Sequence, residues 1–350
     1  MSVAVTLSIP GLLNPLRMKE AHEALKTLEL PALQKMLSKA DRFSSKDQTP
    51  YEQSNYLFHQ SKPQALASVM AAAELENFDD SCFWLRIDPV QMIADRDSLV
   101  LIPGADLGMT EDESKALLKA FNEHFVDDRV CLEYGSTNNW YLRIVQPIDL
   151  QTHTLDSVAY QPVGECYPTG NAADYWRKMI NETQMLFYSH PVNEARRSQQ
   201  LPEINSIWAW GEGQLNLSLI VERQNAMVWS DFLYLQGLTK LTKSKLAASP
   251  VSHTAWQQVF SEQISSDDTE IGHHLIHLDP IVNALDNMQE SEWISALQLL
   301  ESDWFESLVQ AVKNREITSL LLDFGNGCRY HLEPSHLNRF WRLNKSLIKI

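Results

Sequence analysis

The chain has 350 residues, of which 44% are hydrophobic and 21% are charged, so it can bury one large core or two smaller ones without disulfide or metal staples. Forty-five acidic against twenty-nine basic side chains leave a net charge of −16, which is the wrong sign for binding nucleic-acid phosphates. The four cysteines form no C-x-x-C pair, no basic secretory signal precedes them, and no apolar run is long enough to span a membrane. We therefore expect a soluble cytoplasmic protein that binds neither nucleic acid nor membrane.

Strand and helix patterns alternate along the first half of the chain. Val3 to Ile9 is predicted as a strand that ends at Pro10-Gly11, and Ala21 to Ala40 shows helical spacing with a break at Pro31. A capping box that starts at Thr110 predicts a helix over 111–125. The other predicted elements are a helix at Gln64–Leu75, a strand at Ser81–Ile87, and two strands at Val130–Tyr134 and Trp140–Val145 around a turn at Gly135–Asn139.

The second half continues the alternation, which is typical of an α/β sheet protein. A helix predicted over Ala172–Phe187 delivers His190 at its C-terminal end. The remaining predictions are strands at Ala226–Leu233, His274–Leu278 and Ser319–Asp323, helices at Leu235–Ala248 and Trp293–Val312, and a surface loop at Ser261–Glu270.

The segment from His190 to Gly213 places an imidazole, two carboxamides, guanidiniums and two indoles close together in sequence. Such a mixture is more than packing alone requires, and the glycines at its end indicate a sharp turn or a close backbone approach. Together with an arginine in an otherwise apolar strand, these side chains form the candidate ligand-binding set. Its members are Arg86, His190, Asn193, Arg196, Asn205, Trp208 and Trp210.

Each of these residues also has a structural interpretation. Arg86 and Arg196 are suited to a phosphate or carboxylate, but equally to a salt bridge with one of the many acidic groups. His190 at a helix terminus is more often a cap for free carbonyls than a catalyst. The two asparagines are suited to tying the loop to itself, and the two tryptophans, at alternate strand positions, to core packing.

A second cluster raises the question of metal binding. His273, His274, His277, Asp279 and Asp286 lie close in sequence and carry nitrogen and oxygen ligands. The apolar residues between the histidines favour a strand, which turns the first and third histidines to one face and His274 to the other. A ligand role and a polar strand end both remain open. The chain contains no P-loop, G-x-G-x-x-G, G-x-S-x-G or H-E-x-x-H motif.

Several segments, in order, resemble bacterial RpfE-type regulatory proteins along nearly the whole chain. They are Phe83-Trp-Leu-Arg86 with Asp95-Arg-Asp97, the helix at Glu111-Asp-Glu113, Tyr134-Gly135 to Trp140-Tyr-Leu, and His190-Pro-Val-Asn193 to Arg196 with Asn205 to Gly213. The same run is distantly similar to archaeal-type cofactor-independent phosphoglycerate mutases of the alkaline phosphatase superfamily. The resemblance implies an alkaline-phosphatase-like doubly wound α/β core, formed by 1–75 and 206–350, with an inserted α+β domain at 76–205.

The resemblance also implies where catalysis would reside. Mutases of this superfamily use two divalent metals, held by Asp and His at the ends of core strands, and a Ser or Thr nucleophile. Here the first strand runs into Pro10-Gly11 where the family has an Asp-Gly ligand pair, and the family's Asp-His pair is matched by Asp323-Phe324. The family's Thr-Pro helix start is matched by Leu30-Pro31, without its polar ends. The residues that remain as candidate metal ligands are His277, Asp279, Asp286 and Asp323.

Three functional hypotheses follow. The first is a non-catalytic, regulatory relative of the mutases that needs no cofactor and binds a small anionic metabolite or a protein partner. The second is an active phosphoglycerate mutase or phosphatase that uses manganese or magnesium. The third is a structural or interaction protein whose aromatic surface pairs with another chain.

Overall fold

A computed structural model describes residues 3–14, 25, 28–58, 64–95, 98–127, 130–223, 225–264, 272–278 and 290–347. The chain divides into two compact units, a core unit from Met1–Pro63 and Ile220–Ile350 and an inserted unit from Gln64–Leu219. The inserted unit is wider than the range 76–205 expected from the sequence, because a helix that precedes this range packs on the last strand of the unit.

The described residues contain the following strands and helices. The strands are β1 (Val3–Ser8), β2 (Asp41–Asp47), β3 (Phe83–Asp95), β4 (Ser98–Pro103), β5 (Leu132–Ser136), β6 (Asn139–Ile144), β7 (Ser206–Gln214), β8 (Ala226–Trp229), β9 (Lys245–Ala247), β10 (His273–His277), β11 (Ile317–Asp323) and β12 (Asn326–Leu332). The helices are α1 (Pro31–Lys39), α2 (Pro50–Leu57), α3 (Leu66–Glu74), α4 (Glu111–His124), α5 (Leu155–Val158), α6 (Ala173–Tyr188), α7 (Pro191–Ser198), α8 (Leu233–Leu241), α9 (His253–Ile264), α10 (Glu290–Leu300) and α11 (Glu306–Lys313). A π-helical turn, Glu301–Phe305, joins α10 to α11. Across these described segments, no helix is both long and apolar enough to cross a membrane.

The core unit is built on a seven-stranded mixed sheet in the order β2-β12-β11-β1-β10-β8-β9. The five strands from β11 to β9 run parallel. At the other end of the sheet, β12 pairs antiparallel with β11, and the edge strand β2 pairs antiparallel with β12. Val5 and Leu7 of β1 are buried on a strand that has neighbours on both sides, as expected for the middle of a parallel sheet. Helices α1, α10 and α11 contribute the other large part of this core.

The inserted unit is built on a five-stranded antiparallel sheet. Its strands follow the order β4-β3-β6-β5, and β7 pairs with β3 as well. Helices α4 and α6 cover this sheet through buried residues such as Leu117, Phe121, Trp176 and Ile180. The unit is therefore α+β, as the sequence predicted.

Two helix starts show how acidic side chains complete the backbone hydrogen bonding. The capping box predicted for α4 is confirmed, since Thr110 accepts from the amide of Glu113 and Glu113 accepts from the amide of Thr110. Helix α1 begins without a side-chain cap from Leu30, and the carboxylate of Glu301 instead accepts from the amides of Ala32 and Leu33, at 2.5 and 3.1 Å. A residue from the π-helical turn therefore caps a helix far away in sequence.

Some sequence predictions are corrected by the structure. The helix predicted over Leu235–Ala248 ends at Leu241, and β9 follows after a turn in which Lys243 has a positive φ of 56°. The predicted strand at Ala226–Leu233 ends at Trp229. Of the predicted loop at Ser261–Glu270, Ser261 to Ile264 belong to α9, and the rest lies outside the described residues.

Candidate functional site

His190, Asn193 and Asn205 organise the backbone of the inserted unit. The His190 Nδ1 atom accepts a hydrogen bond from the amide of Val192 at 3.2 Å, so this residue caps the start of α7. The prediction that it caps free carbonyls at the end of the preceding helix is therefore wrong, because the chain enters a second helix at Pro191. Burial lowers the pKa of His190, although Glu194 acts in the opposite direction.

The two asparagines replace missing backbone partners. Asn193 is fully buried; it donates to the carbonyls of Phe187 and Ile204, at 2.9 and 2.8 Å, and accepts from the amide of Ile204 at 2.9 Å. Asn205 accepts from the amide of Met92 at 2.8 Å and donates to its carbonyl at 3.0 Å. Both carboxamides therefore bridge backbone segments, in agreement with their structural interpretation.

Arg196 is a buried structural cation. Its side chain is 1% exposed; it donates to the carbonyls of Pro202 and Leu107 and forms an ion pair with Glu113 at 2.8 Å. Burial acts to raise the pKa of Glu113, but hydrogen bonds from Thr110 and Arg196 outweigh it and hold this pKa below its ordinary value. The guanidinium thus links the start of α4 to the loop after α7.

Arg86 and Trp210 meet at the carboxylate of Asp88. Arg86 Nε lies 2.7 Å from Asp88 Oδ1, Trp210 Nε1 donates to Asp88 Oδ2 at 2.8 Å, and the Arg86 guanidinium lies 5.0 Å from the centre of the Trp210 ring. Asp88 is fully buried, and burial raises its pKa despite these two partners. Trp208, on the same face of β7, donates separately to the carbonyl of His153 at 2.9 Å.

The glycines after the tryptophans allow a close approach of helix α3. Gly211 and Gly213 have φ angles of +73° and +147°. A Cβ atom on Gly213 would lie 2.6 Å from the Cβ of Ala65, and one on Gly211 would lie 3.1 Å from the backbone of Ala67. The close approach predicted from the sequence is thus an approach of the protein to itself. The role of the seven residues in ligand binding stays a prediction.

A second polar group lies in the core unit, where three parallel strands end. Ser8 of β1 is in register with His277 of β10 on one side and with Asp323 of β11 on the other. Ser8 Oγ and His277 Nδ1 are 3.0 Å apart, and Phe232 stacks on the His277 ring at 5.3 Å. All three polar residues are at most 1% exposed. This alignment follows from the sheet, because parallel strands end at the same edge.

The carboxylate of Asp323 is occupied by groups of the protein. Arg329 Nε lies 2.6 Å from Asp323 Oδ2, and the amide of Gly325 donates to Oδ1 at 3.0 Å. Arg329 donates to Gln48 as well, and its guanidinium lies 3.4 Å from the centre of the Tyr56 ring. A positive charge of the protein therefore faces the carboxylate that the sequence offered as a metal ligand.

The four candidate metal ligands can be located only in part. His277 and Asp323 lie on the two strands that flank β1, while Asp279 and Asp286 fall outside the described residues. Across the part of the chain that the structure describes, no group of three or more His, Cys, Asp or Glu side chains is arranged to hold a metal ion. Ser8 and Arg329 were not among the residues predicted from the sequence. Ser8 lies directly before the strand end at Ile9, and Arg329 lies in a strand that was not predicted.

Comparison with known proteins identifies the fold. No family model matches the chain, and no curated protein matches it significantly. Among solved structures, a cofactor-independent phosphoglycerate mutase from Thermoplasma acidophilum is 12% identical, covers 99% of this chain and 94% of its own, and has a TM-score of 0.51. The PH0037 protein from Pyrococcus horikoshii is 10% identical, covers 95% of this chain and 88% of its own, and has a TM-score of 0.58.

The fold is alkaline-phosphatase-like, as in the cofactor-independent phosphoglycerate mutases. The doubly wound α/β core and the inserted α+β unit predicted from the sequence agree with it. In a sheet of this kind, chemistry is expected where the parallel strands end, which is the location of Ser8, His277 and Asp323.

Proposed function

We propose that the protein is a non-catalytic, phosphoglycerate-mutase-like regulatory protein of the cytoplasm, of the RpfE type. It acts by binding a small anionic metabolite or a protein partner. The observation that carries the proposal is the buried ion pair between Asp323 and Arg329, at 2.6 Å.

The ion pair between Asp323 and Arg329 opposes metal binding electrostatically. Phosphoryl transfer depends on cations that neutralise the charge of the transferred group, and a bound divalent metal needs free carboxylate oxygens. Both oxygens of Asp323 already accept hydrogen bonds, and one partner is a guanidinium whose charge repels a metal ion. The described residues at this position therefore do not fit a divalent metal.

The strand end of β1 supports the same conclusion. Ile9 is followed by Pro10 and Gly11, where the resembling mutases have an Asp-Gly pair. The amides of Ile9 and Gly11 donate to the carbonyls of Asp323 and Phe324, both at 2.9 Å. The backbone after β1 is therefore hydrogen-bonded to the end of β11. Neither feature supplies an oxygen ligand from a side chain.

An active mutase or phosphatase is the second candidate, and one observation favours it. Ser8, His277 and Asp323 lie side by side on three adjacent strands, with a 3.0 Å hydrogen bond between Ser8 and His277. A hydroxyl beside an imidazole is the arrangement of an activated nucleophile. This candidate requires manganese or magnesium, whereas the preferred proposal requires no cofactor.

Metal content and turnover distinguish the two candidates. Purified protein is analysed for bound metals and is assayed for conversion of 3-phosphoglycerate to 2-phosphoglycerate with added manganese or magnesium, beside an active mutase as positive control. We expect no turnover and no stoichiometric metal. Bound metal with turnover that is lost in Ser8→Ala and Asp323→Asn would establish an active enzyme and overturn the proposal.

The binding role is tested by ligand-dependent stability. A panel of phosphorylated metabolites is added, and the melting temperature is measured, since a ligand that binds only the folded state raises it. We expect at least one compound to raise the melting temperature in a saturable manner. If none does, binding of a phosphorylated metabolite is excluded for this panel, and binding of a protein partner is the alternative that remains.

A purely structural or interaction protein is the third hypothesis. Large exposed apolar side chains near the C-terminus favour it, namely Phe340, Trp341 and Leu343.

A further inference from the structure

Helix α9 packs aromatic residues against strand β10 of the core sheet. His253 and Trp256 lie in the first turn of the helix, Phe260 follows one turn later, and His274 lies on β10. The ring centre of Trp256 is 5.4 Å from that of His253 and 5.3 Å from that of His274, and Phe260 lies 4.3 Å from His274. His253, Trp256 and His274 are at most 2% exposed. We call these four rings the α9 cluster.

The α9 cluster contains buried N–H groups that lack acceptors. Burial lowers the pKa of His253 and His274 to about 4, so both rings are neutral near pH 7. Trp229 donates from Nε1 to Nδ1 of His274 at 3.1 Å, and because an indole nitrogen only donates, the neutral His274 ring carries its proton on Nε2. Across the residues that the structure describes, neither this Nε2, nor Nε1 of Trp256, nor either ring nitrogen of His253 has a hydrogen-bond partner.

These unpaired groups include more donors than acceptors. With both histidines neutral, they are three N–H groups, one each on Trp256, His274 and His253, and one acceptor nitrogen on His253. A buried donor without an acceptor costs free energy, and a ligand oxygen that accepts its hydrogen bond removes that cost. The α9 cluster is therefore suited to a ligand that carries a hydrogen-bond acceptor.

Trp256 also lines a cleft at the surface of the core unit, which we call the α9 cleft. Its volume is about 670 Å³, a size typical of small-molecule sites. Buried Val3 and Ile317 and the partly buried ring of Phe260 give it an apolar wall, and the exposed Glu316 adds a carboxylate. The rings of Trp256 and Phe260 are nearly parallel, with 4° between their planes and 5.7 Å between their centres. An apolar, aromatic wall with few polar groups is typical of a site for a small organic molecule.

The charges around the α9 cleft favour an uncharged ligand. Among the described residues that line the cleft, Glu316 carries the charge, and this charge acts to raise the pKa of His253, so its field reaches the α9 cluster. The two neutral histidines provide no positive charge to balance an anion, and the chain as a whole has a net charge of −16. An anionic ligand would therefore be repelled, whereas an uncharged acceptor would not.

We propose that the α9 cleft binds a small uncharged molecule that has an aromatic ring and a carbonyl oxygen. The ring packs on the aromatic wall, and the carbonyl accepts a hydrogen bond from Nε1 of Trp256, the donor that belongs to both the cleft and the cluster. This site is separate from the proposed function. Val3 and Ile317 begin β1 and β11, whereas Ser8 and Asp323 end them, so the two locations are roughly 17 to 20 Å apart along the strands.

Three probes of similar size test the chemistry of the site. Acetophenone is an uncharged aromatic ketone, ethylbenzene lacks the oxygen, and benzoate carries a negative charge. Each probe is titrated into the full-length protein, and NMR follows the indole N–H signal that is absent from Trp256→Phe. We expect a saturable shift with acetophenone and binding about fivefold weaker for each of the other two probes. No saturable shift with any probe would leave water as the occupant and overturn the proposal. Ethylbenzene binding as tightly as acetophenone, or benzoate binding more tightly, would contradict the assigned ligand class.

A matched pair of variants tests Trp256 as the donor. Trp256→Phe keeps an aromatic ring but removes the N–H group, so we expect acetophenone to bind about fivefold more weakly and ethylbenzene to bind as before, measured by saturation-transfer NMR. Trp341→Phe is the control, because it makes the same substitution at a tryptophan that does not line the α9 cleft. Circular dichroism verifies that both variants are folded. An equal loss of both probes in Trp256→Phe would show damage to the wall and contradict the hydrogen bond. Failure of the phosphorylated metabolites to bind would not affect these outcomes.

Discussion

Arg329 lies beside Asp323 at the end of β11, with 2.6 Å between Nε and Oδ2, and both side chains are buried. A pair of this kind adds little net stability compared with an apolar pair, but removal of one partner leaves an unpaired charge in the interior. The ion pair joins β11 to its antiparallel neighbour β12. It also occupies the carboxylate of Asp323, which was predicted from the sequence as a candidate metal ligand.

Arg329→Met is expected to destabilise the core unit by about 3 kcal/mol, because Asp323 would remain buried without its partner. The measurement is urea unfolding followed by tryptophan fluorescence. The double variant Asp323→Asn with Arg329→Met is the control, and it should recover a large part of the loss. Equal losses in the single and double variants would show that the ion pair has no such role.

Acidification is expected to weaken the core unit through His253 and His274. Burial lowers the pKa of both from 6.5 to about 4; Glu316 opposes this effect at His253, whereas His273 adds to it at His274. Since the folded-state pKa lies below the unfolded one, the unfolded chain binds more protons, and stability falls as the pH drops from about 6.5 towards about 4.

The pH effect is measured as the urea midpoint between these limits. In His253→Leu the dependence should become shallower, because both ring nitrogens of His253 are buried and make no hydrogen bond within the described structure. His190→Gln, in the inserted unit, is a comparison variant outside this cluster. An unchanged slope in His253→Leu would exclude this histidine as a cause.

Arg196→Ala is expected to destabilise the inserted unit by about 3 kcal/mol, since it leaves two carbonyls and the Glu113 carboxylate without a buried donor. Arg197→Ala is a well-matched control. It is the next residue, its side chain is 35% exposed, and its ion pair with Glu203 should contribute less than about 1 kcal/mol. Thermal melts of both variants test the difference, and similar melting temperatures would contradict the structural role of Arg196.

Gly213→Ala is expected to cost about 3 kcal/mol or less in the same unit, through an unfavourable backbone conformation and the contact with Ala65. Gly108→Ala is the comparison variant, because Gly108 has a positive φ of +61° but no atom within 4 Å of the position of an added Cβ. We expect the smaller loss of melting temperature for Gly108→Ala. A larger loss at Gly108 would show that packing on α3 is unimportant.

Local sequence patterns predicted much of the secondary structure. The capping box before α4 is a contact between residues three apart, so its pattern is visible in the sequence, and the structure contains both hydrogen bonds. Strand β12 and edge strand β2 were not predicted. Strand β2, with Asp41, Arg42 and Lys46, carries the polar residues of an exposed edge and lacks the apolar alternation on which strand prediction depends.

For the candidate ligand-binding residues, the contact partners could not be predicted from local sequence patterns. The sequence identified Arg196, Asn193 and Trp210 as candidate ligand-binding residues, but it did not identify their partners in the folded protein. Glu113 is 83 residues from Arg196, and Asp88 is 122 residues from Trp210. A sequence pattern contains no information on which carboxylate or carbonyl will be adjacent after folding.

The sequence by itself determined the α/β class and most local elements, because hydrophobic period and helix caps act between near neighbours. The inserted α+β unit was implied by the family resemblance of the sequence. Only the tertiary structure decided what the polar residues do. It aligned Ser8 with His277 and Asp323 by parallel pairing, brought Arg329 to Asp323, and placed Arg339 and Arg342 beside Asp41. These relationships depend on strand order and register, which are established when the whole sheet assembles.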